Sequence, residues 1–480
     1  MCHMLVILYV FDALRADHLS CYGYGRKTTP NIDDFSEDSV LFANAFTQST
    51  WTRTSAASML SSKYPRQIGV SHVEDAIPTG VVCLPGIMQR LGYSTKGVSG
   101  MVNVCSVFGF DEGFDEFVDL FELPSKVADP KGKSTMVSEK AKWSGQEEVV
   151  FPRASDVNSF LSKWIGENGA NDMFLFAWTM DTHIPFNPPR GWRVFGESKG
   201  QDGITRKDLR GSWNKEKRER VIDLYDDEIL YADSCFGVFL QHLKKLGRYD
   251  DSLIFVTSDH GQLFLEHGEV GHGHIPYDEV IRVPLIVKFP NSRFKGKNQQ
   301  LVQLIDVFPT ILEILEADRF TETLDLEGRS VIPLLEKKVE SINRYVYSDT
   351  HFSELQATFY SIRSLRWKYI HVVPPRLNLS FLGEFFKHLI TPQNALELLS
   401  SPEYFIHRVA KKDREFLFDL SKDRPEANNI AGEDENQLLI FRRELQRWRA
   451  LQENRDIRGR KVELSDAEKM KARLRELGYL

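Results

Sequence analysis

The chain has 480 residues, 42% of them hydrophobic and 27% charged. These are the proportions of a globular protein too long for one compact core, so a large domain with a smaller one is expected. A formal net charge of −7 at pH 7 argues against a nucleic-acid binder, which carries a basic surplus, and offers no attraction to anionic membrane.

In chain order, residues 4–11 form an apolar run that leads straight into Asp12. The run is too short for a membrane span and lacks a cleavage site, so the chain reads as cytoplasmic. Residues 5–11 read instead as a buried parallel strand. Leu84, Ile87, Met88 and Leu91 predict a helix ending at Gly92, and Val157, Phe160, Leu161, Trp164 and Ile165 share one helical face. Residues 173–180, 253–257 and 283–289 predict strands, with a long helix over 219–246 before the second of these. Strands alternating with helices predict a doubly wound α/β fold, a mostly parallel sheet sandwiched by helices. Two polar stretches, 125–148 and 191–218, read as insertions that rim a site.

From about residue 342 the texture changes to short β-like runs near 345–348, 360–363, 367–373 and 416–420, which predict a small antiparallel sheet. The stretch 377–412 reads as a helical insertion. Ser465 and Glu468 have capping-box spacing for a closing helix that ends at Gly478. The expected division is a catalytic domain over 1–341 and an α+β subdomain over 342–480. Five cysteines, Cys2, Cys21, Cys83, Cys105 and Cys235, are scattered, odd in number and without zinc-ligand spacing. They read as free thiols.

Three strand ends carry carboxylates or imidazoles: Asp12, then Asp181 with His183, then Asp259 with His260. In open α/β sheets the ligand site lies beyond the carboxyl ends of the strands. A lone Asp there is usually a helix cap, but three such ends weaken that reading. Asp12, Asp259 and His260 make a hard O/N set that suits one divalent cation without choosing among Ca, Mn, Mg and Zn.

The motifs "VFDALRADHLSCYGYGRKTTPNID", "STWTRTSAASMLSSKYPRQIGV", "DTHIPFNPP", "FVTSDHG" and "GHGHIPYDEVIRVPLIV" occur in order. Through them the chain resembles the sulfatases and related phospho-hydrolases of the alkaline-phosphatase superfamily. The resemblance implies Asp12, Asp259 and His260 as metal ligands, joined by Thr52, which matches the nucleophile. It implies roles for His183 and for His272 or His274 at the ester oxygens or leaving group. It also implies an alkaline-phosphatase-like domain with a smaller C-terminal sheet.

The chain departs from the family at the site. Sulfatases carry Cys or Ser followed by x-Pro-x-Arg and oxidise it to formylglycine. Here the segment is Thr52-Arg53-Thr54-Ser55-Ala56, and a secondary alcohol gives no aldehyde, so no formylglycine is expected. Ala13 replaces a second metal-binding Asp, and Gly100-Met101-Val102-Asn103 stands where Gly-Lys-Trp-His is found. Asn103 and Arg53 are therefore the candidates to bind the substrate anion, although Arg53 could equally point to solvent. Thr52 could be only a cap for a helix starting near Ser55. Asp181 could join a second metal or make a structural hydrogen bond. Arg15 with Asp17, Glu266 with His267, His72 and His351 read as surface or loop-packing residues.

The expected activity is metal-dependent hydrolysis of a phosphate mono- or diester through Thr52. The alternatives are sulfuric ester hydrolysis, phospho-headgroup transfer and an inactive anion binder. The expected partner is an anionic ester on a small molecule, glycan or lipid headgroup, with no nucleic acid and no membrane span.

Overall fold

The computed structural model describes residues 4–122, 151–169, 171–196, 203–209, 211–351, 357–375, 413–453, 460–462 and 474. The first apolar run is strand β1, Leu5–Phe11, wholly buried. Leu5, Ile7, Tyr9 and Phe11 enter one hydrophobic core, while Val6, Leu8 and Val10 enter another. Successive side chains of a strand point to opposite faces, so a strand between two apolar layers is apolar throughout.

Strands Val40–Phe46 (β2), Ser94–Ser99 (β3), Glu116–Asp119 (β4), Met173–Thr179 (β5), Leu253–Ser258 (β6), Arg282–Val283 (β7), Leu285–Lys288 (β8) and Gly296–Gln303 (β9) complete a nine-stranded sheet. Its order is β7-β2-β8-β6-β1-β5-β3-β4, with β9 beside β2. β1 runs parallel to both neighbours, Leu5 opposite Met173 and Val6 opposite Leu253. β8 is antiparallel to both β6 and β2. The strand predicted over 283–289 is thus two short ones broken at Pro284, which has no N–H to give the ladder.

Helices Pro30–Glu37 (α1), Thr52–Ser61 (α2), Ala154–Asn168 (α3) and Lys215–Lys245 (α4) flank the sheet. α1, α3 and α4 send Phe35, Leu161, Trp164, Leu224 and Phe236 into the core that holds Tyr9. α2 sends Ala56, Met59 and Leu60 into the other. α4 starts earlier than its apolar periodicity, because the Asn214 side chain caps it by accepting from Lys217 N at 2.8 Å.

Strands Val346–Thr350 (β10), Thr358–Arg363 (β11), Trp367–Val373 (β12) and Arg414–Asp419 (β13) form an antiparallel sheet in chain order. Helix Glu435–Glu453 (α5) covers it with Phe441, Leu445 and Trp448. The predicted insertions 125–148 and 377–412 lie outside the described residues, as does the closing helix apart from Leu474. Cys21, Cys83, Cys105 and Cys235 are free, and Cys2 is not among the described residues. Among the described residues, no helix is long and apolar enough to cross a membrane.

Candidate active site

Asp12 follows β1, and Asp259 and His260 follow β6 beside it, so parallel pairing delivers all three to one carboxyl edge. One ligand atom from each lies within 4.8 Å of the others, and all three side chains are buried. Thr52 is the first residue of α2, and Trp51 occupies the cap position with extended backbone. The helix begins three residues before the expected Ser55, so the Thr52 hydroxyl is not its cap. Thr52 Oγ1 instead lies 3.1 Å from His260 Nε2.

Each carboxylate is held on one side by an N–H donor. Asp12 Oδ2 accepts from Trp178 Nε1 at 2.9 Å, and Asp259 Oδ1 accepts from Ala13 N at 3.0 Å. Asp12 Oδ1 is buried without a hydrogen-bond donor among the described residues, and Asp259 Oδ2 lies 3.2 Å from His260 Nε2. Burial, and then the charge of Asp259, pushes the Asp12 carboxyl up; burial pushes Asp259 to about 7. Two buried carboxylates whose free oxygen and neighbouring imidazole nitrogen face one another fit a divalent cation, whose charge would offset both costs. His260 Nδ1 lies 2.8 Å from the Gly261 carbonyl. With Nδ1–H donating there, the Nε2 lone pair is free to face the carboxylates and Thr52. Burial holds His260 down to about 4, in the neutral form that binds metal.

His183 follows β5, with its Nδ1 2.7 Å from the Ile184 carbonyl and its Nε2 3.1 Å from His272 Nε2. The His272 ring lies against that of His260, centroids 4.2 Å apart. Thr52, His260, His272 and His183 therefore form a continuous row. Burial, then the neighbouring His260, holds His183 down to about 3. Of the two histidines in the Gly271–His274 stretch, His272 enters the row. His274 is half-buried beyond it, near enough for its charge to act on His272.

Arg53 and Asn103 are brought together, but as partners of each other. Arg53 Nη2 donates to Asn103 Oδ1 at 2.6 Å, and Nη1 donates to the carbonyls of Val73 and Asp75. The guanidinium carbon sits 3.2 Å from the Phe108 ring centroid. Asp181 accepts from Ala154 N at 2.8 Å and faces Arg153, a structural arrangement. Arg15 is buried rather than at the surface, bridging Asp17 and Glu266. His267 stacks on Tyr277 at 3.6 Å. His72 and His351 meet with ring centroids 4.5 Å apart. Sequence reasoning missed Trp178, whose signal was available: an indole N–H within a buried strand must find an acceptor.

A sulfatase family profile matches residues 4–317, and one described as N-sulphoglucosamine sulphohydrolase, C-terminal, matches residues 266–379. An ulvan-active sulfatase of Formosa agariphila is 24% identical over 452 residues, covering 89% of this chain and 75% of that protein. An N-acetylglucosamine-6-O-sulfatase of Bacteroides thetaiotaomicron is 22% identical over 531 residues, covering 94% and 90%. The solved phosphonate monoester hydrolase of Agrobacterium radiobacter superposes with a TM-score of 0.68 at 19% identity, covering 94% of this chain and 96% of that one, which shows a shared fold. With the family profile spanning well over half its length, this chain belongs to the sulfatase family, ester-cleaving hydrolases of the alkaline-phosphatase-like superfamily.

Proposed function

We propose that this protein hydrolyses a sulfuric ester on an anionic small molecule or glycan, through a covalent intermediate on Thr52. The observation that carries the reaction type is the Thr52 hydroxyl, 3.1 Å from His260 Nε2 at the edge of the buried Asp12–Asp259–His260 set. Preference for a sulfuric over the phosphoric ester expected from sequence rests on relatives named as sulfatases. Asp12, Asp259 and His260 would hold one divalent cation, with Thr52 Oγ1 beside them. Such a cation lowers the pKa of a hydroxyl and offsets charge on a transferred group. Thr52 Oγ1 forms a bond to sulfur as the bond to the alcohol oxygen breaks. The Thr52 hydroxyl proton passes to the neutral His183–His272 pair, which delivers it to the departing alcohol oxygen. Water then releases sulfate and restores Thr52.

A phosphoric ester is the second reading, favoured by Thr52 itself. Its secondary alcohol gives only a ketone on oxidation, and direct attack by an oxygen nucleophile suits a phosphoryl centre. A panel of aryl sulfates, phosphate monoesters, phosphodiesters and phosphonates separates the two. Thr52→Ala is expected to abolish turnover with metal content and fold retained, and Thr52→Ser to keep part of it. Mass spectrometry is expected to show unmodified Thr52 at rest and a sulfuryl or phosphoryl adduct in quenched single-turnover samples. Turnover by Thr52→Ala would mean that water attacks directly. A metal-loaded protein inert on the whole panel would point to an anion binder.

A further inference from the structure

Transfer through Thr52 needs two groups from distant parts of the chain in register: the Thr52 hydroxyl at the start of α2, and His272, which pairs with His183. A misplacement of roughly 1 Å between reacting groups costs on the order of a hundredfold in rate. His272 lies just past Gly271, outside any helix or strand, so its place depends on hydrogen bonds of the segment around it.

Thr50 joins the two groups. Its carbonyl accepts from the N–H of Gly273, the residue after His272, at 2.8 Å. In the other direction Trp51 leads from Thr50 into α2. The Trp51 carbonyl accepts from Ser55 N at 3.2 Å and from Thr54 Oγ1 at 3.0 Å, so the helix start is bound to it. Thr50 N in turn donates to Thr350 Oγ1 at 3.1 Å, and the two threonine hydroxyls lie 2.9 Å apart. Ser49 Oγ is 3.3 Å from the same Thr350 oxygen. Ser49, Thr50 and Thr350 are all buried, so water does not compete for these groups. Of the three β10 residues that reach this loop, Ser348 and Asp349 hold Thr47 and Gln48, while Thr350 holds Thr50, the residue bonded to Gly273.

We propose that Thr350, at the end of β10, is a positioning residue of the reaction: its hydroxyl fixes the Thr50 peptide from which Thr52 and the His272 segment take their spacing. This rests on the function proposed above. The antiparallel sheet thereby acts on the chemistry through Thr50 without touching the substrate. The N–H of Thr50 is held by that sheet and its carbonyl by the histidine segment, so neither can shift without straining the other.

Thr350→Val keeps the side-chain shape and removes the hydroxyl, so the buried Thr50 N–H loses its acceptor. It is expected to lower kcat on aryl sulfates or phosphodiesters on the order of tenfold to a hundredfold, with KM and metal content at wild-type values. The Thr52 adduct should form correspondingly more slowly in quenched single turnovers. Thr350→Ser keeps the hydroxyl and should recover most of kcat. Hydrogen exchange read by mass spectrometry is independent of turnover. Peptides covering Thr50 and Gly273 should lose protection together in Thr350→Val and keep it in Thr350→Ser, with β1 protected in both. Wild-type kcat in Thr350→Val would overturn the assignment and leave ester hydrolysis standing. Equal losses in both variants, or loss of metal and of protection across β1, would reduce Thr350 to a structural residue and overturn it too. A wild type inert on every ester would overturn the hydrolytic reading; unchanged protection at Gly273 in Thr350→Val would then overturn the role of Thr350 as well, and joint loss at Thr50 and Gly273 would uphold the coupling.

Discussion

Ala13 sits next to Asp12 with φ of 57°, a left-handed conformation costly for a residue with a Cβ. It is held there from both sides: its N–H donates to Asp259 Oδ1 at 3.0 Å, and its carbonyl accepts from Tyr225 OH at 2.8 Å. The backbone thus orients Asp259 with an amide. Ala13→Gly is expected to stabilise the fold by about 0.5–1 kcal/mol, read as a higher urea midpoint, because glycine adopts this φ without strain. An unchanged or lower midpoint would show that the left-handed turn costs nothing here. Trp178 does for Asp12 what Ala13 does for Asp259. Trp178→Phe keeps the ring and removes the donor, so metal affinity should fall roughly 10–100-fold, as for other lost outer-sphere partners. Titration of the metal-free variant with Mn or Zn checks this.

Among the elements, the antiparallel sheet is fastened to the segment around Asp278 by a buried ion cluster. Lys368 on β12 is fully buried, its Nζ 2.8 Å from Asp278 Oδ1 and 2.7 Å from Glu426 Oε1, and Arg363 on β11 reaches Asp278 at 3.0 Å. Asp278 lies a few residues after His272 and His274, so this cluster anchors the histidine segment as well. Removing one partner leaves a buried carboxylate uncompensated, so Lys368→Ala should cost about 3–5 kcal/mol, measurable by chemical unfolding.

The same cluster predicts an acid response. Burial alone would raise the Asp278 carboxyl, but Arg363 and Lys368 override it and hold it well below the ordinary carboxylate range. A folded pKa below the unfolded one gives stability that is fully present above the unfolded value and lost as pH falls beneath it. Hydrogen-exchange protection factors across β12 and β13 should therefore fall as pH drops below about 4, the ordinary Asp value. Glu426, pushed up by burial, adds a slope of opposite sign at higher pH. Protection that stays flat down to strongly acid pH would contradict the role given to Asp278.

For the whole molecule, we propose a boundary near residue 342 between parts that are not independent. Ser348 Oγ donates to Thr47 O at 2.5 Å, Asp349 N to Gln48 O at 2.9 Å, and Thr50 N to Thr350 Oγ1 at 3.1 Å. β10 thereby holds the loop that leads into Thr52, while Gly273 N, donating to Thr50 O at 2.8 Å, ties the same loop to the histidine segment. A chain truncated after residue 341 should lose turnover, and the intact protein should melt in one transition. A separate transition for the C-terminal part with full activity retained would show that the sheet is only an appendage.

The apolar runs of β1, β5 and β6 and the periodicity of α3 and α4 were legible because each is written locally, in the spacing of neighbouring residues. From them, with the motifs at strand ends, came the layered sheet and the expected convergence of Asp12, Thr52, Asp259 and His260. Strand direction was not legible: β8 is antiparallel because it pairs with β6 and β2, and nothing inside Leu285–Lys288 states that. Nor could spacing show that Arg53 would turn to Asn103, that His272 rather than His274 would enter the row, or that His72 would meet His351 from the other sheet. Those outcomes depend on which side chains packing brings within a few ångströms across hundreds of residues of chain. The sequence by itself determined which chemical groups were available and at which strand ends. Tertiary structure alone decided which of them meet in the Asp12–Asp259–His260 cluster and which were consumed holding the fold together, because a buried donor or acceptor must be satisfied by whatever the fold places beside it.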